Sequence, residues 1–125
     1  MKRFFILATV ILSLAACSGS SNTAASAVQA YFQALVDKDT EKAVNLSCAA
    51  WEEQARIDAD AFATNPATAQ GLACQDAGTD GEYTTVTCTG RLVLDYNGEE
   101  VPIDLADRSY LALEENGEWR MCGLK

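Results

Sequence analysis

Leu92-Val93-Leu94-Asp95-Tyr96-Asn97-Gly98-Glu99-Glu100-Val101-Pro102-Ile103 reads as two strands and the turn between them. The Asn-Gly pair suits a two-residue hairpin turn, in which both central residues take positive φ. That turn sets Leu94 opposite Val101 and Leu92 opposite Ile103. The four apolar residues then share one face, while Arg91 and Asp95 point to the other, as strand alternation demands. Asp80-Gly81 and Asn116-Gly117 are turn signals of the same kind. Between them the chain is rich in Thr, Val, Tyr and Leu, which predicts four antiparallel strands near 71–77, 83–96, 99–113 and 118–124. Asp107-Arg108 interrupts the alternation of the third strand, predicting a bulge or bend that curls the sheet.

The residues before this meander have a helical period instead. Val28, Tyr31, Phe32, Leu35 and Val36 follow the i, i+3, i+4, i+7, i+8 spacing of one helical face, with Gln29, Gln33 and Lys38 off it. Asp37-Lys38-Asp39 interrupts the pattern, and Asp39 or Thr40 can cap a short second helix carrying Ala43, Val44 and Leu46. A third helical stretch, about 49–63, puts Trp51, Ala55, Ala59 and Phe62 on one side. Asn65-Pro66 ends it, because the residue before proline is pushed out of the helical region. Two to three N-terminal helices ahead of a curved four-stranded antiparallel meander predict an α+β fold with the helices packed on one sheet face. The domain occupies 24–125.

The N-terminus has a different character. Lys2 and Arg3 are followed by the uncharged, mostly apolar run Phe4 to Ala16, too short to span a bilayer as a helix, which takes about 20 residues, but suited to the h-region of a signal peptide. It ends in Leu14-Ala15-Ala16-Cys17. This quartet resembles the lipobox of bacterial lipoproteins, and the resemblance implies that residues 1–16 are removed and that Cys17 becomes a lipid-bearing N-terminus with a diacylglyceryl group. Residues 17–23, small and polar through Ser18-Gly19-Ser20-Ser21-Asn22, are expected to form a lipidated tether. The expected location is the extracytoplasmic side of a bacterial membrane, the lipid on Cys17 making the attachment.

Composition narrows the partners. Removing Lys2 and Arg3 takes the nine basic side chains to seven against 18 acidic ones, a formal charge of −11 for the mature chain. Such a surface is repelled by nucleic-acid phosphate and by anionic head groups, so no nucleic-acid partner is expected and the membrane contact falls to the lipid.

The opening Ala27-Val28-Gln29-Ala30-Tyr31-Phe32-Gln33-Ala34-Leu35-Val36, with Asp37-Lys38-Asp39 after it, and the closing Gly117-Glu118-Trp119-Arg120-Met121-Cys122-Gly123 are similar to those of small bacterial lipoproteins in the nuclear transport factor 2-like superfamily. The resemblance implies a cystatin-like cone, in a domain without an assigned activity, over about 24–124. It also implies dimerisation through the open sheet face as one mode of assembly. Enzymes of that superfamily place Asp, His or Tyr inside the cone.

With Cys17 lipidated, four cysteines remain in an oxidising compartment, and three connectivities are open to them. In a meander Cys74 and Cys122 lie on the first and fourth strands, three steps of about 4.8 Å apart, beyond the roughly 7 Å Cα limit of a bridge. Cys88 and Cys122 are two strands apart and offset along the sheet. The surviving pairing joins Cys48 to Cys122 and Cys74 to Cys88. A two-residue turn at Asp80-Gly81 would set Cys74 opposite Thr87, so the second bridge requires a three-residue loop or a bulge that shifts the register by one.

Signals for catalysis are sparse. The chain has no histidine, which removes the side chain best suited to proton transfer near neutral pH and the Ser-His and Cys-His nucleophile pairs. Asp95, Asp104 and Asp107 are the strand carboxylates, and the register puts Asp95 and Asp104 on the face away from the core. Asp76-Ala77-Gly78-Thr79-Asp80-Gly81 echoes half of a calcium loop, but Thr87 stands where the bidentate Glu belongs; a hairpin turn accounts for it and no metal or other cofactor is expected. Tyr31, Trp51, Tyr110 and Trp119 are candidates to line a pocket or to fill the core. The reading that follows is a non-enzymatic domain binding an envelope protein or a small apolar ligand. A small carboxylate-dependent enzyme with its site in the cone and a structural surface protein are the alternatives.

Overall fold

The structure, a computed structural model, describes residues 22–125; the signal sequence expected at 1–16 and the lipid site expected at Cys17 lie outside the described residues. The two described residues of the expected tether belong to the fold. Asn22 Oδ1 accepts a hydrogen bond from the Trp119 backbone N–H at 2.7 Å. Thr23 is the N-cap of helix α1 (Ala24–Val36), and its hydroxyl accepts from the Ser26 N–H while Ser26 Oγ accepts from the Thr23 N–H. This reciprocal box satisfies two backbone donors that would otherwise be orphaned. The buried face of α1 is Val28, Tyr31, Phe32 and Leu35, with Gln29 and Gln33 exposed. The helix ends with Lys38 in the left-handed region at φ 60° and the Asp39 N–H bonded to the Ala34 carbonyl. Asp39 then caps α2 (Thr40–Asn45), its carboxylate accepting from the Lys42 N–H. A 3-10 turn, Ala49–Trp51, leads into α3 (Glu52–Ala63), which stops just short of Asn65-Pro66.

The sheet has five antiparallel strands, β1 (Ala67–Asp80), β2 (Tyr83–Tyr96), β3 (Glu99–Asp104), β4 (Ser109–Glu115) and β5 (Glu118–Leu124), and not the four expected. The difference lies in the expected bend of the third strand. Leu105–Asp107 forms a 3-10 turn, with Asp104 Oδ1 accepting from the Ala106 N–H at 3.1 Å, and this divides one strand into β3 and β4. Both pair with the long β2, β4 against residues 84–87 and β3 against 91–96. The order across the sheet is β1-β2-β4-β5, with β3 beside β2 off that path. Residues 105–108 match only 88–90 of β2, and the extra residue reverses the parity: Val101 and Ile103 face inward on β3, Tyr110 and Ala112 on β4. Within β3 the pairs Leu92 with Ile103 and Leu94 with Val101 are those the hairpin turn predicts.

The first hairpin turns at Gly81-Glu82, one residue later than Asp80-Gly81, since Asp80 pairs with Tyr83. A tip there would put Cys74 opposite Thr89, but a bulge at Ala77-Gly78 returns one residue and aligns Cys74 with Cys88. A second bulge, at Gly71-Leu72, lies opposite Gly90, which takes φ 85°. A Cβ on Gly90 would collide with the backbone of Gln70 and Gly71. The Gly71 bulge, Gly90 and the Leu105–Asp107 turn sit at one level of three adjacent strands, and bulged strands bend there.

The two end strands of the β1-β2-β4-β5 path are each met by another element, while β3 pairs with β2 alone. On β1, the Cys74 N–H donates to Gln29 Oε1 and Asp76 Oδ1 accepts from the Ala25 N–H, so α1 lies along that edge. On β5, residues 46–48 add a short parallel bridge: the Met121 N–H donates to the Leu46 carbonyl and the Cys48 N–H to the Met121 carbonyl. The disulfides are Cys48–Cys122 and Cys74–Cys88, with Cα separations of 5.2 and 4.1 Å. Cys122 is the residue left unopposed where Ala112 pairs with Met121 and Leu111 with Gly123. The core between helices and sheet is Val28, Tyr31, Leu35, Phe62, Val86, Leu92, Leu105, Tyr110 and Met121 with small residues around them.

Candidate functional site

The parity reversal after Leu105 leaves a recess. Val101 and Ile103 point to the helical side of the sheet but reach past the helices, and they stay 38% and 39% exposed. Where β3 gives way to β4, a cleft of about 430 Å³ opens between the sheet and the helices. Phe32 and Leu35 of α1 and Phe62 of α3 form one wall, and Leu92, Leu105 and Tyr110 the other. Ile103, Pro102 and Leu124 stand at its mouth with Asp104, Asp107 and Arg108. Phe32 packs edge-on against Tyr110, ring centroids 4.9 Å apart, and the Tyr110 hydroxyl donates to the Leu105 carbonyl at 3.0 Å. That bond pins the 3-10 turn to the inner strand. Burial pushes the Tyr110 phenol pKa up, with Arg108 working against it and Asp104 and Asp107 adding to it.

A polar group is set into the apolar wall. Asp58 of α3 faces the cleft, and behind it the fully buried Tyr31 donates its hydroxyl to Asp58 Oδ2 at 2.6 Å. The Gln54 side-chain amide donates to Asp58 Oδ1 at 2.8 Å, one helical turn back. Burial first, then the hydrogen bond to Asp58 and its negative charge, hold the Tyr31 phenol well above the usual tyrosine range. The Trp51 indole N–H is turned toward the same hydroxyl and opposes that shift, yet its geometry falls short of a hydrogen bond, leaving it buried and unpartnered.

Of the four aromatics marked as pocket or core, Tyr110 lines the cleft, Tyr31 lies behind it as the donor to Asp58, and Trp51 and Trp119 pack against the core without reaching the opening. Asp95 accepts from the Gly98 N–H and serves the hairpin turn. Asp104, although on an outward-facing register position, and Asp107 come to the mouth because the chain turns inward there. Asp58 and Gln54 were outside the expected site. The signal for Asp58 is its place in the stripe Trp51, Ala55, Asp58, Phe62, where a helical face packed on a sheet calls for an apolar residue. Among the described residues, no cluster of three metal-ligating side chains occurs and no helix is long and apolar enough to cross a membrane.

No family model and no curated protein matches the chain. Among solved structures the chain is similar to the crystal structure of the helical cell shape determining protein Pgp2 from Campylobacter jejuni, with a TM-score of 0.50 at 8% identity. The match covers 79% of this chain and 38% of that one, so the chain spans well under half of that protein's length, and the likeness is one of fold.

Proposed function

We propose that this chain is a lipid-anchored extracytoplasmic domain of the nuclear transport factor 2-like, cystatin-like kind, which binds a small and largely apolar ligand without catalysing a reaction. The observation that carries the reading is the cleft at the β3–β4 bend: about 430 Å³ in volume, within the range of small-molecule sites, with apolar walls and a few fixed polar groups. The order of elements, helices first and then a sheet bent at one level, supports the cone. The basic start, the apolar run and Leu14-Ala15-Ala16-Cys17 support the anchor. A titration of the purified, methyl-labelled chain with 1-octanol tests the binding. Shifts concentrated at Leu35, Leu92, Ile103 and Leu105 are expected, with Val44, which does not line the cleft, unmoved; shifts spread evenly over both sets, or none with octanol or with its charged eight-carbon analogues, would overturn the reading.

One observation favours the enzymatic alternative, namely a carboxylate set into an apolar cleft, the setting in which such groups act as bases. Against it, both oxygens of Asp58 already accept hydrogen bonds from protein donors, and the sequence offers no histidine to relay a proton.

A further inference from the structure

We infer that the cleft selects ligands bearing an ammonium group on an apolar body, the ammonium seated on Asp58; this rests on the cleft being the ligand site proposed above. The starting point is an unbalanced charge. Asp58 stands where the buried stripe of α3 calls for an apolar side chain, between Ala55 and Phe62, and its two immediate partners are the Tyr31 hydroxyl and the Gln54 amide. Both are neutral. They fix the carboxylate's orientation but leave its charge uncompensated. The ion pairs among the described residues are Arg56 with Glu52, Arg120 with Glu118 and Lys125 with Asp80, and Asp58 belongs to none of them.

A carboxylate has about four acceptor positions, and the two protein donors occupy two, so the group keeps acceptor capacity toward the cleft. The mouth adds to the field. Asp104 is held in place by its bond to the Ala106 N–H, Asp107 stands beside it, and Arg108 is the lone basic residue among those lining the cleft. Three carboxylates against one guanidinium, set in walls of Phe32, Leu35, Phe62 and Leu92, give a concave site of negative potential with low-dielectric sides, which concentrates cations.

The three ligand classes rank themselves on this arrangement. A neutral apolar ligand displaces water from Asp58 and leaves a charge without solvent, which is unfavourable. A carboxylate ligand adds like-charge repulsion. An ammonium ligand replaces the lost water with charge-assisted hydrogen bonds from three donors while its hydrocarbon covers the aromatic wall.

Titrating the same purified chain at neutral pH with octylammonium, 1-octanol and octanoate, which share one tail, reads this ranking directly. Octylammonium is expected to bind at least about tenfold more tightly than octanol, as a charge-assisted hydrogen bond allows, with octanoate the weakest. Asp58→Asn, which keeps an oxygen for the Tyr31 hydroxyl, should abolish the preference, with octylammonium weakened and octanol, which no longer strips water from a charge, bound at least as tightly as before. Equal binding of octylammonium and octanol by the unmodified chain overturns the inference while the cleft reading stands, and this comparison needs no variant to fold. An ammonium preference that survives Asp58→Asn overturns it as well. If none of the three binds, the cleft reading itself fails.

Discussion

The hydroxyl of Tyr31 and the carboxylate of Asp58 meet at 2.6 Å from positions 27 residues apart, joining the first helix to the third under the floor of the cleft. Tyr31→Phe keeps the ring and removes the donor, which leaves Asp58 with the Gln54 amide alone. Loss of a hydrogen bond to a charged group costs about 1.5–3 kcal/mol. The phenol is also held above its usual value of 10.0, so the folded chain keeps a proton that the unfolded chain gives up. The stabilisation from that raised pKa is therefore whole below pH 10 and declines as pH climbs beyond it. Urea midpoints measured on both sides of pH 10 should fall more steeply for the unmodified chain than for Tyr31→Phe. Parallel slopes would show that Tyr31 does not hold its proton.

Leu35 is buried on the apolar face of α1 and also lines the cleft. Leu35→Ala should destabilise by about 2–5 kcal/mol, as deletions of large core side chains do. A loss under about 0.5 kcal/mol in a denaturant titration would mean that the face does not pack as described.

Two backbone positions predict effects of opposite sign. Lys38 closes α1 at φ 60°, a conformation that costs a side-chain-bearing residue energy and glycine little, so Lys38→Gly should raise stability by about 0.5–1 kcal/mol. Gly90→Ala should lower it by more than about 1 kcal/mol, because positive φ and the Gln70-Gly71 backbone both oppose a Cβ there. Thermal melts of the two variants check the pair, and the same sign for both would contradict the backbone geometry.

The proposed lipid anchor is tested outside the described residues. Cys17→Ala should yield a precursor that neither matures nor takes up label from fatty acid. A processed and labelled Cys17→Ala protein would remove the case for lipidation.

The sequence made the helices and the middle hairpin legible because each rests on a local rule, the buried spacing of Val28, Tyr31, Phe32 and Leu35 or the Asn97-Gly98 turn. What it concealed depends on single-residue insertions. Asp107-Arg108 announced a break in the third strand, but that the break would make two strands is decided by the Asp104 cap and by the register of both halves against β2. Asp80-Gly81 looked like the tip of the first hairpin, and the tip falls at Gly81-Glu82 because bulges elsewhere in β1 absorb the difference. Asp58 escaped for another reason. It lies on a helix rather than a strand, and while the stripe Trp51, Ala55, Asp58, Phe62 marks it as an acid on a packed face, that this face borders a cleft is decided by how α3 meets the sheet.

The arrangement of the two disulfides makes the domain a ring within a ring. The bridge from Cys48 to Cys122 closes a circuit that contains all of the sheet but the last two residues of β5, and the bridge from Cys74 to Cys88 closes a smaller one inside it. Cutting the backbone once anywhere from 49 to 121, at the exposed tip of the first hairpin or in the link at Asn65, opens one circuit and releases nothing. The two sides of the cut stay joined through sulfur, with the helices still fastened to the last strand. In any compartment where proteases are common and reductants scarce, a molecule built this way can be nicked and remain a single covalent body around its cleft.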